Sequence, residues 1–330
     1  MKGGERMKYT VTFLDFQYNI DTLCFKIETK LPKFCFEKWE TDNYVYHQTE
    51  RSINKTDVSI RYYPGYECLS ILIDSVPALL YGSSQKMFNK KDYRKLMKKI
   101  ARLVNSATGL FGYRGFNKYS FDNAFIVRVD INHDFYFTKE NNEIKFRNWL
   151  GKFRLPYSKN SIVGNCYSSG GKTTTNSVNL TYYSKNIQCD QKHKDYDNSI
   201  SDYCTRVEFQ FKSGYFHSQE PVKLKDFIMD DGAKIDLVKK LLNKLRLNGE
   251  IKNQNTFKTF LRRICKSSRR SDFCLNTIKY FCDLQRYGFN DNKIPMKYEY
   301  LKIAKENNVV PIWLDKDVYR DLQANKNYIL

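Results

Sequence analysis

The sequence has no apolar run near the roughly 18 residues that a membrane-crossing helix needs. Its best runs, residues 69–73 and 76–81, are broken by Asp74 and Pro77, which excludes a helical membrane span. A secretory leader is not expected either. Met1 to Arg6 are charged and carry glycine where a leader needs an apolar block, so the chain is expected to stay inside the cell. Cysteine is present but unpatterned: nine residues, at 24, 35, 68, 166, 189, 204, 265, 274 and 282, an odd number with no C-x-x-C pair. Neither a disulfide framework nor a structural zinc site is expected, and the thiols are read as buried and reduced. Histidine occurs only at 47, 133, 193 and 217, with no His-hydrophobic-His pair, so any metal site must be mostly carboxylate. G-G-K-T at 170–173 lacks the leading glycine of a phosphate loop, because Cys166 stands in its place, and nucleotide triphosphate hydrolysis is not expected. The segment 166–177 reads as a loop whose Lys172 can reach a phosphate. There is no internal repeat, no long low-complexity tract and no RNP-type G-F-G-F strand. The His-x-x-Arg of a tyrosine recombinase is absent too, since His193 is followed three residues on by Tyr196.

Acidic residues are in deficit. The 36 Asp+Glu against 56 Lys+Arg leave a net charge of +20, which calls for a polyanionic partner. With 41% hydrophobic and 15% aromatic residues, the 330-residue chain can bury a substantial core. Up to about residue 220 apolar residues recur at a period of two, which predicts strands over 9–16, 22–29, 58–63, 67–73, 125–137, 177–185 and 205–212. One helix is predicted over 90–105, with Leu96, Ile100, Leu103 and Val104 on one face. Beyond residue 221 the spacing changes to three and four in 235–247, 256–265 and 275–287, which predicts three or four helices. The fold class is therefore α+β: a largely antiparallel sheet flanked by helices in residues 1–220, followed by a separable basic helical region in 221–330. That second region holds 23 Lys+Arg against 13 Asp+Glu, half of the net charge.

Strict alternation gives three strands a chemical face. In F-I-V-R-V-D-I-N-H-D-F, Arg128, Asp130, Asn132 and Asp134 share one side and Val127, Val129 and Ile131 the other. In T-R-V-E-F-Q-F-K the polar set is Arg206, Glu208, Gln210 and Lys212; in V-N-L-T-Y-Y-S-K it is Asn179, Thr181, Tyr183 and Lys185. Solvent-facing strands often alternate this way, but two R-V-acid strands flanking a Y-x-K strand are a less common combination. With the polar faces aligned, Asp130, Glu208, Tyr183 and Lys185 converge. Two carboxylates suit Mg²⁺ or Mn²⁺, a tyrosine hydroxyl can attack a phosphate, and a lysine can support the charge. His133 falls on the apolar side and is discounted as a ligand; Asp134, near the strand end, is read as a solvated loop carboxylate. The densest basic clusters, around Lys98 and Lys99 and in Arg262, Arg263, Arg269 and Arg270, are read as DNA phosphate contacts, together with Arg128, Arg206 and Lys172.

These residues also carry a resemblance. I-D-T-L at 20–23, P-A-L-L-Y-G-S-S at 77–84, R-V-D-I at 128–131, Y-S-K at 183–185, R-V-E-F at 206–209 and L-Q-R-Y-G-F at 284–289 follow an order similar to that of rolling-circle replication initiators. The likeness is to the gene II/X-type replication proteins of filamentous phages and, more distantly, to staphylococcal plasmid initiators. It implies a metal-dependent enzyme that nicks and rejoins one strand of origin DNA through a 5′-phosphotyrosine. Tyr183 would be the nucleophile, Lys185 a supporting cation, and Asp130 and Glu208 the ligands of Mg²⁺ or Mn²⁺. The implied partners are double- and single-stranded origin DNA, a host helicase and a polymerase, in the cytoplasm of a bacterial host. Two departures stand out: Ser184 replaces the usual acidic residue of the Y-[DE]-K element, and Tyr182 directly precedes Tyr183, so that a bulge could exchange the two. The alternative is a non-enzymatic origin or single-stranded DNA-binding protein on the same scaffold.

Overall fold

The computed structural model describes residues 10–31, 40–41, 44–45, 47–53, 56–109, 114–164, 166–267, 271–289 and 298–326. Period-two sequences form the strands. They are β1 (Asn19–Glu28), β2 (Glu40–Thr41), β3 (Tyr44–Val45), β4 (His47–Ile53), β5 (Thr56–Tyr63), β6 (Cys68–Ile73), β7 (Phe125–Phe137), β8 (Lys159–Ile162), β9 (Gly171–Thr174), β10 (Val178–Ser184) and β11 (Tyr203–Phe211). Strands β2 and β3 form a small ribbon; the other nine make one sheet in the order β4-β5-β6-β1-β7-β11-β10-β9-β8. Every pairing in it is antiparallel. This is the expected α+β architecture.

The apolar face of the sheet is the core. Val129 pairs with Phe211 and Ile131 with Phe209, and all four are essentially inaccessible. Against this face packs α3 (Glu140–Leu150), whose Phe146 lies 5.0 Å from Phe135 and 5.2 Å from Phe137. His133 sits on the same side, among Phe16, Tyr18 and Phe135, with Nδ1 against the Gln17 carbonyl. Burial lowers its pKa to about 4, so it is a neutral packing residue. The short α1 (Val76–Tyr81) follows β6, and α2 (Tyr93–Gly109) buries Leu96, Ile100, Leu103 and Val104 as expected.

Three expectations are corrected. Residues 10–16 of the first predicted strand form an isolated bridge at Val11 and a single helical turn over Phe13–Asp15, while Tyr9 lies outside the described residues. The Thr12 amide donates to the Asp15 carboxylate at 2.7 Å, a local cap that competes with a strand ladder. Gly171–Thr174, read within a loop, is strand β9, paired on both sides. The C-terminal region holds six helices among the described residues. After α4 (Lys185–Gln191) and α5 (Ser213–Phe216) come α6 (Leu224–Met229), α7 (Asp231–Leu245), α8 (Gln254–Ser267), α9 (Ser271–Tyr287), α10 (Tyr298–Glu306) and α11 (Lys316–Asn325). Their apolar faces join the sheet in one continuous core. Helix α11 docks on the end of β7, where Asn325 accepts from the Tyr136 amide and donates to its carbonyl, both at 2.7 Å. The helical region is thus bonded into the sheet rather than hung from it.

Candidate active site on the polar face of the sheet

Antiparallel register lines up the polar side chains in rows. Tyr183 stands beside Arg206 and Asp134; Thr181 beside Glu208, Asn132 and Asn19; Asn179 beside Gln210 and Asp130. The pairing of β10 with β11 runs without a slip from Val178 to Ser184. Tyr183 therefore lies on the polar face, while Tyr182 packs against the apolar core. The rows form the floor of a cleft of about 510 Å³ that includes Asp130, Glu208, Tyr183, Lys185, Arg128 and Lys172, six of the residues singled out from the sequence.

The Tyr183 hydroxyl donates directly to Glu208, whose second oxygen accepts from Gln210 at 3.2 Å. Burial, and next the Glu208 charge, push the Tyr183 pKa far above the ordinary phenol value. Burial and the nearby Asp21 charge raise Glu208 in turn. A hydrogen bond from a buried phenol to a carboxylate is the geometry in which the carboxylate can take the phenol's proton. Lys185 opens α4 straight after β10; it is 5% exposed and donates to Gln188 at 2.7 Å. Burial, then Arg206, lowers its pKa, so it releases a proton more readily than a surface lysine does.

Arg206 is only 1% exposed, which removes it from the expected DNA contacts. Its guanidinium grips Asp134 through two bonds of 2.6 and 2.7 Å, reaches Asp21 at 3.1 Å and donates to the Ser84 carbonyl at 2.9 Å. Asp134, expected to be solvated, is buried in this network. Burial alone would raise its carboxyl, but Arg206 overrides that and holds it below the usual value. Arg128 makes a second fork, on Asp130, at 3.0 and 2.6 Å. Asp130 is raised by burial in spite of Arg128.

Asp21 is the site residue that sequence alternation missed. Strand β1 advances three residues from Ile20 to Leu23 while β7 advances two, from Ile131 to Val129, and the extra residue is a bulge. It brings both Asp21 and Thr22 to the cleft. Asp21 is held by Arg206 and by the Ser75 hydroxyl at 2.7 Å. Its place in the I-D-T-L segment was the only signal for it. Tyr167, Lys192 and Lys194 also line the cleft and carried no sequence signal.

The remaining basic residues lie elsewhere. Lys98 is exposed on α2, Lys99 donates to the Leu79 carbonyl, Arg262 is exposed on α8, and Arg263 donates to Asn307 at 3.1 Å. None of the four lines the cleft. Arg269 and Arg270 lie outside the described residues.

Asp130, Glu208 and Asp21 are hard oxygen donors, and the Asp21 charge acts on both of the others. The buried Thr181 hydroxyl beside Glu208 has no hydrogen-bond partner among the described residues. In kind this donor set fits Mg²⁺ or Mn²⁺. Among the described residues no three His, Cys, Asp or Glu side chains already stand as a metal-binding group, and Arg128 supplies positive charge at Asp130. No protein-family model matches the chain, and no curated protein matches it.

Proposed function

We propose that the chain is a DNA nicking and joining enzyme of the rolling-circle initiator kind, similar to the gene II/X-type replication proteins. The observation that most supports this reading is the hydrogen bond from Tyr183 to Glu208, on the floor of a cleft lined by Arg128, Lys172, Lys185, Lys192 and Lys194. With Asp21, Asp74, Asp130 and Glu208 in the same lining, the five cations leave a small positive excess, which suits a DNA phosphate better than a neutral substrate.

In this mechanism the Tyr183 oxygen attacks a phosphorus atom of one strand while Glu208 takes its proton. The bond from phosphorus to the 3′ oxygen breaks and the electron pair leaves with that oxygen, which receives a proton from Lys185. The products are a 5′-phosphotyrosine and a free 3′ hydroxyl. Reversal of the same steps joins the strand again. Arg128 and Lys172 hold phosphate oxygens, while Arg206 keeps the floor rigid through Asp134 and Asp21. A divalent cation held by Asp130 and Glu208 would add Lewis-acid polarisation of the phosphate. Lys98 and Arg262 are assigned to duplex phosphates outside the cleft, and double- and single-stranded origin DNA, a host helicase and a polymerase are the partners this reading implies. The site of action would be the bacterial cytoplasm; no helix among the described residues is long and apolar enough to cross a membrane.

The burial of Tyr183, 3% exposed, favours a second reading, a binding protein on the same scaffold. The two separate on supercoiled DNA carrying the protein's own replication locus, incubated with Mg²⁺ or Mn²⁺ and run on a denaturing gel. A covalent adduct that survives in Tyr182→Phe and is lost in Tyr183→Phe is expected. Binding without a nick or adduct in either metal leaves the binding protein.

A further inference from the structure

The floor of the cleft carries charges of both signs, but one of its walls is apolar. Ile162, Val163, Gly164 and Tyr167, from the end of β8 and the turn into β9, form that wall. Ile162 is 64% exposed, an aliphatic side chain held out on the lip of a charged cavity. The Tyr167 ring lies 5.4 Å from the ring of Tyr183, tilted by 47°, and the Lys192 ammonium stands 6.0 Å from the Tyr167 ring centre. Tyr167 is half-buried, so part of its ring surface faces the cleft that it lines.

The backbone is shaped to hold the ring there. Gly164 has φ +50°, and a Cβ on it would come within 2.7 Å of the Tyr167 ring, so no larger residue fits beneath the ring without moving it. Cys166, Ser168 and Ser169 also occupy the left-handed region, at φ 74°, 48° and 63°. Side chains rarely adopt this conformation, and it persists only where the surroundings enforce it. A half-buried aromatic ring with an ammonium 6.0 Å from its centre, beside the Tyr183 phenol, suits an unpaired nucleotide: stacking for the base, charge for the phosphate.

We infer that Tyr167 is a stacking shelf for the unpaired nucleobase that flanks the reacting phosphate, with Lys192 as the neighbouring phosphate cation. This rests on reading the cleft as a DNA site, but not on its being a nickase. Tyr167 is a positioning residue in this scheme and takes no part in bond making.

The test uses the full chain and two fluorescein-labelled probes, a ten-residue oligothymidylate and a ten-residue abasic strand with the same phosphates. Fluorescence anisotropy is read for the wild type, Tyr167→Ala and Tyr167→Trp. Expected are a loss of roughly tenfold or more in affinity for oligothymidylate in Tyr167→Ala, little change on the abasic strand, and recovery in Tyr167→Trp with quenching of the new indole emission. Equal losses on both probes, or no loss on either, would overturn the shelf. So would failure of Tyr167→Trp to recover binding while its thermal unfolding matches the wild type. The base-dependent difference without any adduct on supercoiled DNA would keep the shelf and sink the nickase; an adduct without the difference would do the reverse.

Discussion

Glu208 carries the most weight among single residues, because it touches the hydroxyl proposed to react. Glu208→Gln should lower the rate of adduct formation by about 10²-fold or more. Single-turnover nicking at one pH and one metal concentration checks this; an unchanged rate in Glu208→Gln would assign the proton transfer to another group. The pair R-V-D and R-V-E was visible in the sequence, but the two arginines do different work. Arg128 keeps 39% of its side chain in solvent, whereas Arg206 is sealed beneath the floor on two carboxylates. The motif alone does not distinguish them, since each arginine's exposure depends on what covers it.

Among the elements, β9 shows why a glycine pair stands where a phosphate loop was considered and discounted. A Cβ on Gly170 would meet the Tyr182 carbonyl oxygen at 2.6 Å and the Tyr183 Cβ at 2.8 Å; one on Gly171 would meet the Tyr182 hydroxyl at 2.0 Å. The two glycines let β9 run against the strand that carries Tyr183. Gly170→Ala should cost about 1–3 kcal/mol, because the nearest atom is backbone and cannot turn away. Gly65→Ala, with nothing within 4 Å of the added carbon, should change stability much less. Thermal unfolding of the two variants side by side measures the difference, and equal melting temperatures would refute the close-packing account. The strands were legible because period two survives wherever one face is buried. The first turn was not, because the short Thr12–Asp15 cap outcompetes apolar alternation there.

For the whole molecule, the question is whether the C-terminal helices are an appendage. Asp321 of α11 accepts from Thr138, from both its amide and its hydroxyl, and from Asn142 at 2.9 Å, while Asn325 closes on the backbone of Tyr136. Trp149 of α3 donates to the Ile312 carbonyl at 3.2 Å. Asn325→Ala should remove both bonds that the side chain makes to the Tyr136 backbone and cost about 1–3 kcal/mol. Because Trp149 and Trp313 lie on opposite sides of the sequence boundary near residue 220, tryptophan fluorescence and circular dichroism should give one coincident urea transition, shifted as a unit in the variant. Two separated transitions would restore an independent helical domain. Periodicity and composition are local properties of the chain, and they already specify the strands with a charged face, the helical C-terminal third and the excess of positive charge. The packing of distant segments is what brings Tyr183 rather than Tyr182 into the cleft, joins Asp21 to it through a bulge and buries Arg206. Register, burial and bulges depend on which strands become neighbours, and distant parts of the chain fix those pairings.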